Sequence, residues 1–413
     1  MVRRAFFILV SGLALSACSS YQSPLATAPL GMGGPGTVGP ARTSQAVAIL
    51  LPLSGPRADI GHAMLQAAQL ALSGSGSPPL SAKDTQGTPA GATAAAQAAI
   101  TEGVGIILGP LTSAETAAVA PVAQGAGVAV LAFTNDPSQA QPGVWTLGIT
   151  PGQQVRRLVA AAQGQGKTEF AALLPENDLG RVMGDALTQA TAAAGLPPPR
   201  IRTHGKGMAA ITSATRDLSD YANRRGPVDA KIRAARALNT PEGRREAAEL
   251  AKTPIPPPSF NALLLADTGD ELAEIAAVLP YYDVDRGTVQ IMGPAIWASP
   301  ASGSGAVTGA WYAAPDPAAR AGLEQAYAAK YGTPPPAIAD LAFDAASIAR
   351  VLASQGSYSA GALSQPAGYA GVDGWIGLLP DGQVRRGLAV FRIERGGPTM
   401  MEPAPQSAGG PGT

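Results

Sequence analysis

The side chains that could perform catalysis or bind a metal are few and scattered in this sequence. It contains two histidines, His62 and His204, and each lacks a second ligand at metal-binding spacing. We interpret both as ordinary surface or helix histidines. The single cysteine, Cys18, lies near the amino terminus. We therefore expect a non-enzymatic protein that needs no cofactor and no metal.

Two short motifs hint at phosphate or calcium binding, but each fails at a required position. Gly166–Thr168 resembles the end of a phosphate-binding loop, yet position 161 is alanine and a helix precedes the segment where a strand is required. Asp283–Gly287 resembles a calcium loop whose glycine falls one position early. We interpret the first as a helix C-terminus and the second as a turn.

Small hydroxyl and amide side chains follow two neighbouring predicted strands. Thr112 and Ser113 follow one strand, and Thr134 and Asn135 follow the next. The carboxyl ends of strands in open α/β sheets are the usual ligand-binding edge, and free amides at a helix start suit an anionic group. The pattern predicts a site for a carboxylate. The same residue types also cap helices, so a purely structural role stays open.

The elements that position these loops alternate between short apolar runs and helical stripes. The pattern predicts strands and helices in turn at 46–51, 60–72, 82–84, 90–100, 104–108, 114–124 and 128–133. After 145–147 it restarts at 153–163, 170–174, 180–194 and 200–204, and continues to a hairpin within 372–393 that turns at Pro380–Gly382. Such alternation indicates an α/β fold with two parallel sheets flanked by helices.

Composition and charge exclude several classes of protein. The 413 residues are 46% hydrophobic, which is ample for a core, and 29 basic residues balance 29 acidic ones. A neutral chain has no electrostatic footprint for nucleic acid. The segment 223–258 differs, because eight basic residues face four acidic ones and a proline run ends it. We predict two short surface helices there, inserted in the lobe that is built around the second of the two sheets. These helices either dock a partner or simply face solvent.

The amino-terminal residues read as an export signal. Arg3 and Arg4 precede an apolar run too short to span a bilayer, and small residues precede Cys18. This resembles the lipobox of bacterial lipoproteins; an ordinary signal peptide is the alternative. Residues 1–17 would be the signal peptide, 18–44 a flexible Gly/Pro/Ser tether, and 401–413 a disordered tail. Ser19 is not the aspartate that retains lipoproteins in the inner membrane, so we expect a periplasmic protein anchored in the inner leaflet of a Gram-negative outer membrane.

Longer stretches of the sequence resemble the leucine/isoleucine/valine-binding family of periplasmic receptors. The resemblance is carried by the segments 47–72, 105–136 and 371–393. It implies the two-lobed type I periplasmic-binding fold, hinged by three crossings near 134–138, 294–298 and 366–371. The first lobe would then comprise 45–135 and 298–366. The second would comprise 136–297 and 367–400.

The same resemblance implies a ligand cleft, but one that departs from an amino-acid site. Where amino-acid receptors place an acidic residue that neutralises the ligand ammonium, this chain has Ala295, and where they offer a tyrosine it has Leu179. The hydroxyl loops described above would still bind a carboxylate. Asp267 or Asp178 is the candidate replacement for the lost ammonium partner.

Two further segments, 130–166 and 276–297, resemble the penicillin-binding-protein activators, lipoproteins that use this fold to stimulate peptidoglycan synthases. The resemblance implies a regulator of cell-wall synthesis whose partner is a peptidoglycan synthase. The alternative is a solute receptor of a branched-chain amino-acid ABC transporter, whose partner is the transporter permease. A small-molecule ligand is possible in either case.

Overall fold

The computed structural model of the protein describes residues 44–410 and 412–413. The predicted signal peptide, Cys18 and the predicted tether as far as residue 43 lie outside the described residues. Within them, the predicted alternation of strands and helices is confirmed.

The first sheet has five parallel strands in the order β2-β1-β3-β4-β5. Its elements are β1 (Val47–Leu51), α1 (Ala58–Ala71), β2 (Leu80–Asp84), α2 (Pro89–Thr101), β3 (Ile106–Leu108), α3 (Ser113–Gly125), β4 (Ala129–Ala132) and β5 (Val144–Thr146). All five residues of β1 are buried, as expected of a central strand covered on both faces.

The second sheet has seven strands. The chain enters it through α4 (Pro151–Gly164), β6 (Phe170–Pro175), α5 (Asp178–Ala193), β7 (Arg200–His204), α6 (Met208–Leu218), α7 (Tyr221–Ala237), α8 (Pro241–Ala251), β8 (Ala262–Leu265), α9 (Gly269–Val278), β9 (Gln290–Gly293) and β10 (Trp311–Ala314). Strands β6 to β10 pair in parallel, and separate apolar clusters pack on the two faces.

The remaining chain returns to the first sheet and then to the second. It forms α10 (Ala321–Tyr331), α11 (Ala339–Ser354), α12 (Ala360–Leu363), β11 (Tyr369–Gly371), β12 (Gly374–Leu378), β13 (Val384–Arg386), β14 (Ala389–Glu394) and β15 (Gly397–Glu402). Helix α11 and the small sheet β11-β12-β13 share an apolar cluster with β1 and α1. Strands β14 and β15 complete the second sheet in the order β15-β14-β10-β9-β8-β6-β7. We call the bodies around the two sheets the first and second lobes.

The predicted crossings between lobes differ from those in the structure. Strand β5 still belongs to the first sheet, β10 belongs to the second, and β13 packs on the first lobe. The chain therefore crosses after β5, after β10 and after β13, and the lobe boundaries predicted at 135, 297 and 366 are wrong. The apolar runs at 144–146 and 311–314 pair with the open edges of β4 and β9, and this long-range pairing cannot be read from local periodicity.

The end of the chain also differs from the prediction. The turn at Pro380–Gly382 does join the antiparallel strands β12 and β13, but β14 leaves that hairpin and pairs with β10. The predicted disordered tail begins too early, because Met401 and Glu402 lie in β15. Glu402 forms an ion pair of 2.8 Å with the buried Arg157, which draws this segment onto the second lobe.

Candidate functional site

The predicted hydroxyl at the start of α3 is bonded to a carboxylate of the protein itself. Thr112 caps α3 and forms a capping box with Glu115, whose carboxylate accepts from the Thr112 amide at 3.0 Å and from its hydroxyl at 2.6 Å. Glu115 is fully buried, and the Thr85 hydroxyl donates to its second oxygen at 2.6 Å. Thr112, which was predicted to bind a ligand carboxylate, thus binds the carboxylate of Glu115 instead.

The second predicted hydroxyl is bonded in the same way. The Ser113 hydroxyl donates to the Asp136 carboxylate, and the Asp136 amide donates to the hydroxyl of the buried Thr134 at 3.1 Å. Burial of Asp136 works against its ionisation, but hydrogen bonds from Ser113 and Ser138 outweigh that effect and lower the pKa of the carboxyl. Asn135 is exposed.

A third carboxylate lies at the same edge of the first sheet. Asp84 ends β2 and accepts from the Leu53 amide at 2.9 Å and the Ser54 hydroxyl at 2.6 Å. Slight burial opposes ionisation, but these bonds lower its pKa. Sequence reasoning missed all three carboxylates. The Thr-x-x-Glu spacing of the capping box was the one signal that could have revealed Glu115.

The second lobe contains a cavity of about 460 Å³ at the carboxyl ends of β6, β7 and β8. The residues that line it include Glu176, Leu179, His204, Lys206, Asp267 and Glu271. All of its lining residues come from the second lobe. This cavity therefore contains residues from only one of the two predicted halves of the ligand site.

His204 and Asp267 form a buried pair in the wall of this cavity. His204 Nε2 lies 3.3 Å from Asp267 Oδ2, and His204 Nδ1 lies 3.0 Å from the Gly205 carbonyl. Burial lowers the pKa of the imidazole, but the bonds to Asp267 and Gly205 and the nearby charge of Glu176 reverse this and raise it. Since both ring nitrogens face acceptors, the geometry fits the imidazolium ion. The interpretation of His204 as an ordinary surface histidine is wrong.

The remaining predicted cleft residues lie around the cavity without lining it. The Asp178 side chain is fully exposed at the start of α5, and its neighbour Leu179 lines the cavity instead. Ala295 begins a 3₁₀ turn, Ala295–Ala298, and its amide donates to Gln154 at 2.8 Å. Trp297 in that turn donates to the Asp267 carbonyl at 2.9 Å and so connects the turn to the cavity wall.

A buried ionic cluster lies where the chain crosses between lobes. Arg386, at the end of β13, forms an ion pair of 3.2 Å with Asp344 of α11 and donates to the Leu147 carbonyl just after β5. Burial raises the pKa of the nearby Asp373 to about 7, although the charge of Arg386 opposes this. A Cβ atom at Gly371 would lie 2.6 Å from an Asp344 carboxylate oxygen, so glycine allows the loop to close over the pair.

Two general features concern metals and membranes. Among residues 44–410, 412 and 413, no group of three or more histidine, cysteine, aspartate or glutamate side chains is placed to hold a metal ion. No helix in this described range has the length and apolar character needed to cross a bilayer.

Comparisons with solved structures show one fold in proteins with different described roles. A structure from Rhodospirillum rubrum, provisionally described as a branched-chain amino acid ABC transporter, is 21% identical with a TM-score of 0.64, and the match covers 87% of this chain and 100% of that one. Full-length LpoA from Haemophilus influenzae is 18% identical with a TM-score of 0.62, and the match covers 87% of this chain and 59% of that one. The LpoA C-domain, described as a regulator of PBP1A, is 18% identical with a TM-score of 0.59, and the match covers 86% of this chain and 99% of that one.

At these identities the likeness shows the fold alone. A comparison with curated protein sequences gives no significant match. The family profile described as "Periplasmic binding protein" matches residues 44–398, which is most of the chain. The two-lobed α/β structure agrees with that profile, and the chain therefore belongs to the periplasmic binding protein family.

Proposed function

We propose that the protein is a non-catalytic regulator that contacts a peptidoglycan synthase, rather than a receptor that delivers an amino acid to a transporter. The observation that carries this proposal is the internal bonding of the predicted amino-acid site. The hydroxyls of Thr112 and Ser113, and the carboxylate of Asp267, already have partners within the protein.

The hydroxyls of Thr112 and Ser113 offer no free proton to the carboxylate end of an amino acid. A hydroxyl has one proton to donate, and those of Thr112 and Ser113 go to Glu115 and Asp136. A ligand carboxylate would also approach two like charges within a few ångströms. This half of the site therefore disfavours an amino acid.

The ammonium end is no better served in the second lobe. Asp267 already has His204 as a hydrogen-bonding partner, and Ala295 supplies no charge. Exposed Asp178 is in water and gains little from pairing. An ammonium group left unpaired in a dry cleft is costly, so leucine, isoleucine and valine should bind weakly or not at all.

The similarity to LpoA supports the regulatory role at the level of fold. The chain spans 59% of full-length LpoA, and it matches nearly the whole of the C-domain that is described as a regulator of PBP1A. A shared fold does not transfer a partner, so the synthase is part of the proposal.

The second candidate is a solute receptor for a branched-chain amino-acid type ABC transporter. The cavity of about 460 Å³ beside His204 favours it, because ligand sites are concave and this one presents several polar and charged side chains.

One pair of measurements separates the candidates. Full-length protein in mild detergent is titrated with leucine, isoleucine and valine by calorimetry, and is added to a purified synthase whose glycan polymerisation is followed. Stimulation without amino-acid binding supports the regulator. Micromolar binding of any of the three, abolished by Asp267→Asn, together with no effect on polymerisation, would establish the receptor.

Membership of the family places the protein in the bacterial periplasm. Beyond this, Cys18 carries the lipid anchor in our proposal, and the anchor lies in the inner leaflet of the outer membrane. Cys18→Ser should abolish labelling with radioactive palmitate and release the protein from membranes. As a matched change, Ser19→Asp should keep the label and shift the protein to the inner membrane. Unchanged fractionation of the Cys18→Ser protein would refute the anchor.

A further inference from the structure

The helical hairpin formed by α7 and α8 lies at the opposite edge of the second sheet from the cavity. Strand β7 ends at the cavity with His204, and α6 then runs back along the sheet. At the start of α7, Arg224 donates to the carbonyls of Pro256, which precedes β8, and Tyr282, which precedes β9. Since parallel strands begin at a common edge, the base of the hairpin lies at the amino edge. Any function of the hairpin is therefore carried out at a different place on the second lobe from the cavity.

The hairpin is built as an attached unit with a fixed base. Its apolar cluster consists of residues from its own two helices: Ile232, Ala235 and Ala247, with Val228 and Leu250 packed against them. Arg224 donates to the Ser219 carbonyl at 2.7 Å, in addition to Pro256 at 2.8 Å and Tyr282 at 2.6 Å. The base is therefore held firmly, while the outer part adds nothing to the cores of the two sheets.

Positive charge without ionic partners is concentrated in the outer half of the hairpin, residues 231–246. Near the base, Arg225 pairs with Asp229, and Lys252 pairs with Glu249. In the outer half, five exposed basic side chains and two exposed acidic ones have no ion pair within the described residues: Lys231, Arg233, Arg236, Arg244 and Arg245, against Glu242 and Glu246. The connection between the helices exposes 61% of Leu238.

We infer that this outer half is a docking surface for an acidic patch on a folded protein partner, with Leu238 entering an apolar pocket between the partner's carboxylates. Arginine guanidinium groups bind carboxylates in a bidentate geometry, and arginine is enriched at protein interfaces. The inference rests on the proposed function for the identity of that partner as a synthase.

A protein partner fits this surface better than a membrane or a glycan. A polysaccharide offers no apolar pocket for Leu238. Burying a single leucine side chain contributes only about 1.5–3 kcal/mol, which is too little to hold the protein on a bilayer. Because most of the surface consists of exposed charged side chains, the contact should be salt-sensitive.

The test is a variant with reversed charges in the outer half of the hairpin, called the tip variant, and a matched variant with the same reversal elsewhere on the protein. Arg236→Glu/Arg244→Glu/Arg245→Glu is compared with Arg57→Glu/Arg350→Glu/Arg395→Glu, in which three exposed arginines outside the hairpin change by the same total charge. Binding of the full-length proteins to immobilised synthase is measured at low and high salt. The tip variant should bind about tenfold or more weakly at low salt, and the matched variant should bind like the wild type.

A second variant isolates the apolar contact. Leu238→Ser leaves the charge unchanged and should weaken binding several-fold at both salt concentrations, because the pocket contact does not depend on screening. Thermal melts establish that each variant is folded.

The outcomes separate the two levels of the proposal. If the wild type binds the synthase and the tip variants bind equally well, the docking surface is wrong and the proposed function stands. If the wild type binds no synthase, the proposed function fails and the docking surface fails with it. If the hairpin instead mediates binding to anionic vesicles or to purified cell-wall glycan, and not to the synthase, the inference that its partner is a protein is wrong.

Discussion

His204 Nε2 lies 3.3 Å from Asp267 Oδ2, and both side chains are almost completely buried in the wall of the second-lobe cavity. The pair joins the end of β7 to the end of β8 across 63 positions of sequence. Trp297 also holds the Asp267 backbone carbonyl. The carboxylate is therefore fixed in place and has a hydrogen-bonding partner before any ligand arrives.

This pair should make folding stability depend on pH. The pKa of His204 is raised above its ordinary value of 6.5, so its stabilising contribution is complete below about pH 6.5 and is lost as pH rises through the folded-state pKa. Urea unfolding of wild-type protein at pH 6 and pH 9 should show this loss, and His204→Gln should reduce it. His62→Gln, at the other histidine, which is exposed on α1, should leave it intact. An equal pH dependence in both variants would contradict the pairing.

Asp373 should contribute a pH dependence in a lower range. Its carboxyl is an acid with a pKa raised from 3.8 to about 7, so the folded state binds more protons and stability falls as pH rises from about 4 to about 7. Asp373→Asn removes the charge and should stabilise the protein at pH 8 by up to about 4 kcal/mol, with a smaller effect at pH 4. Asp217→Asn, at an exposed site on α6, is the control and should change neither value. A destabilised Asp373→Asn protein at pH 8 would refute the buried charge.

The ion pair between Arg386 and Asp344 should be costly to break from one side. Arg386→Met leaves the Asp344 carboxylate buried without its partner and should lower the free energy of unfolding by about 3–5 kcal/mol. Asp344→Leu/Arg386→Met should lose much less, because neither charge remains. Arg392→Met, which breaks an exposed pair with Glu394 in β14, should cost about 1 kcal/mol or less. Equal losses for the Arg386 and Arg392 variants in urea titrations would show that burial is unimportant.

Arg224 should control how firmly the α7–α8 hairpin is attached. Arg224→Ala removes hydrogen bonds to three carbonyls and should speed amide exchange through residues 225–253, while exchange in the two sheets stays slow. Arg236→Ala, at the outer end of the same helix, is the control and should exchange like the wild type. Hydrogen–deuterium exchange with mass spectrometry resolves the segments. Uniform protection in the Arg224→Ala protein would mean that other contacts anchor the hairpin.

The amino-acid sequence by itself determined the local features of this fold. The buried run Val47–Leu51, the amphipathic α1 and the turn at Pro380–Gly382 follow from periodicity and turn chemistry, because each depends on residues close together in the chain. The family resemblance added the two-lobed architecture, which the family profile confirms.

Only the tertiary structure decided which elements meet. Strand order places β5 in the first sheet and β10 in the second, although both have the same apolar character in sequence. It also brings Ser113 to Asp136 and His204 to Asp267. These contacts give internal hydrogen-bonding partners to Ser113 and Asp267, which were predicted to bind a ligand. The physical reason is that periodicity reports whether a side chain is buried, whereas its bonding partner depends on how distant strands are arranged beside one another.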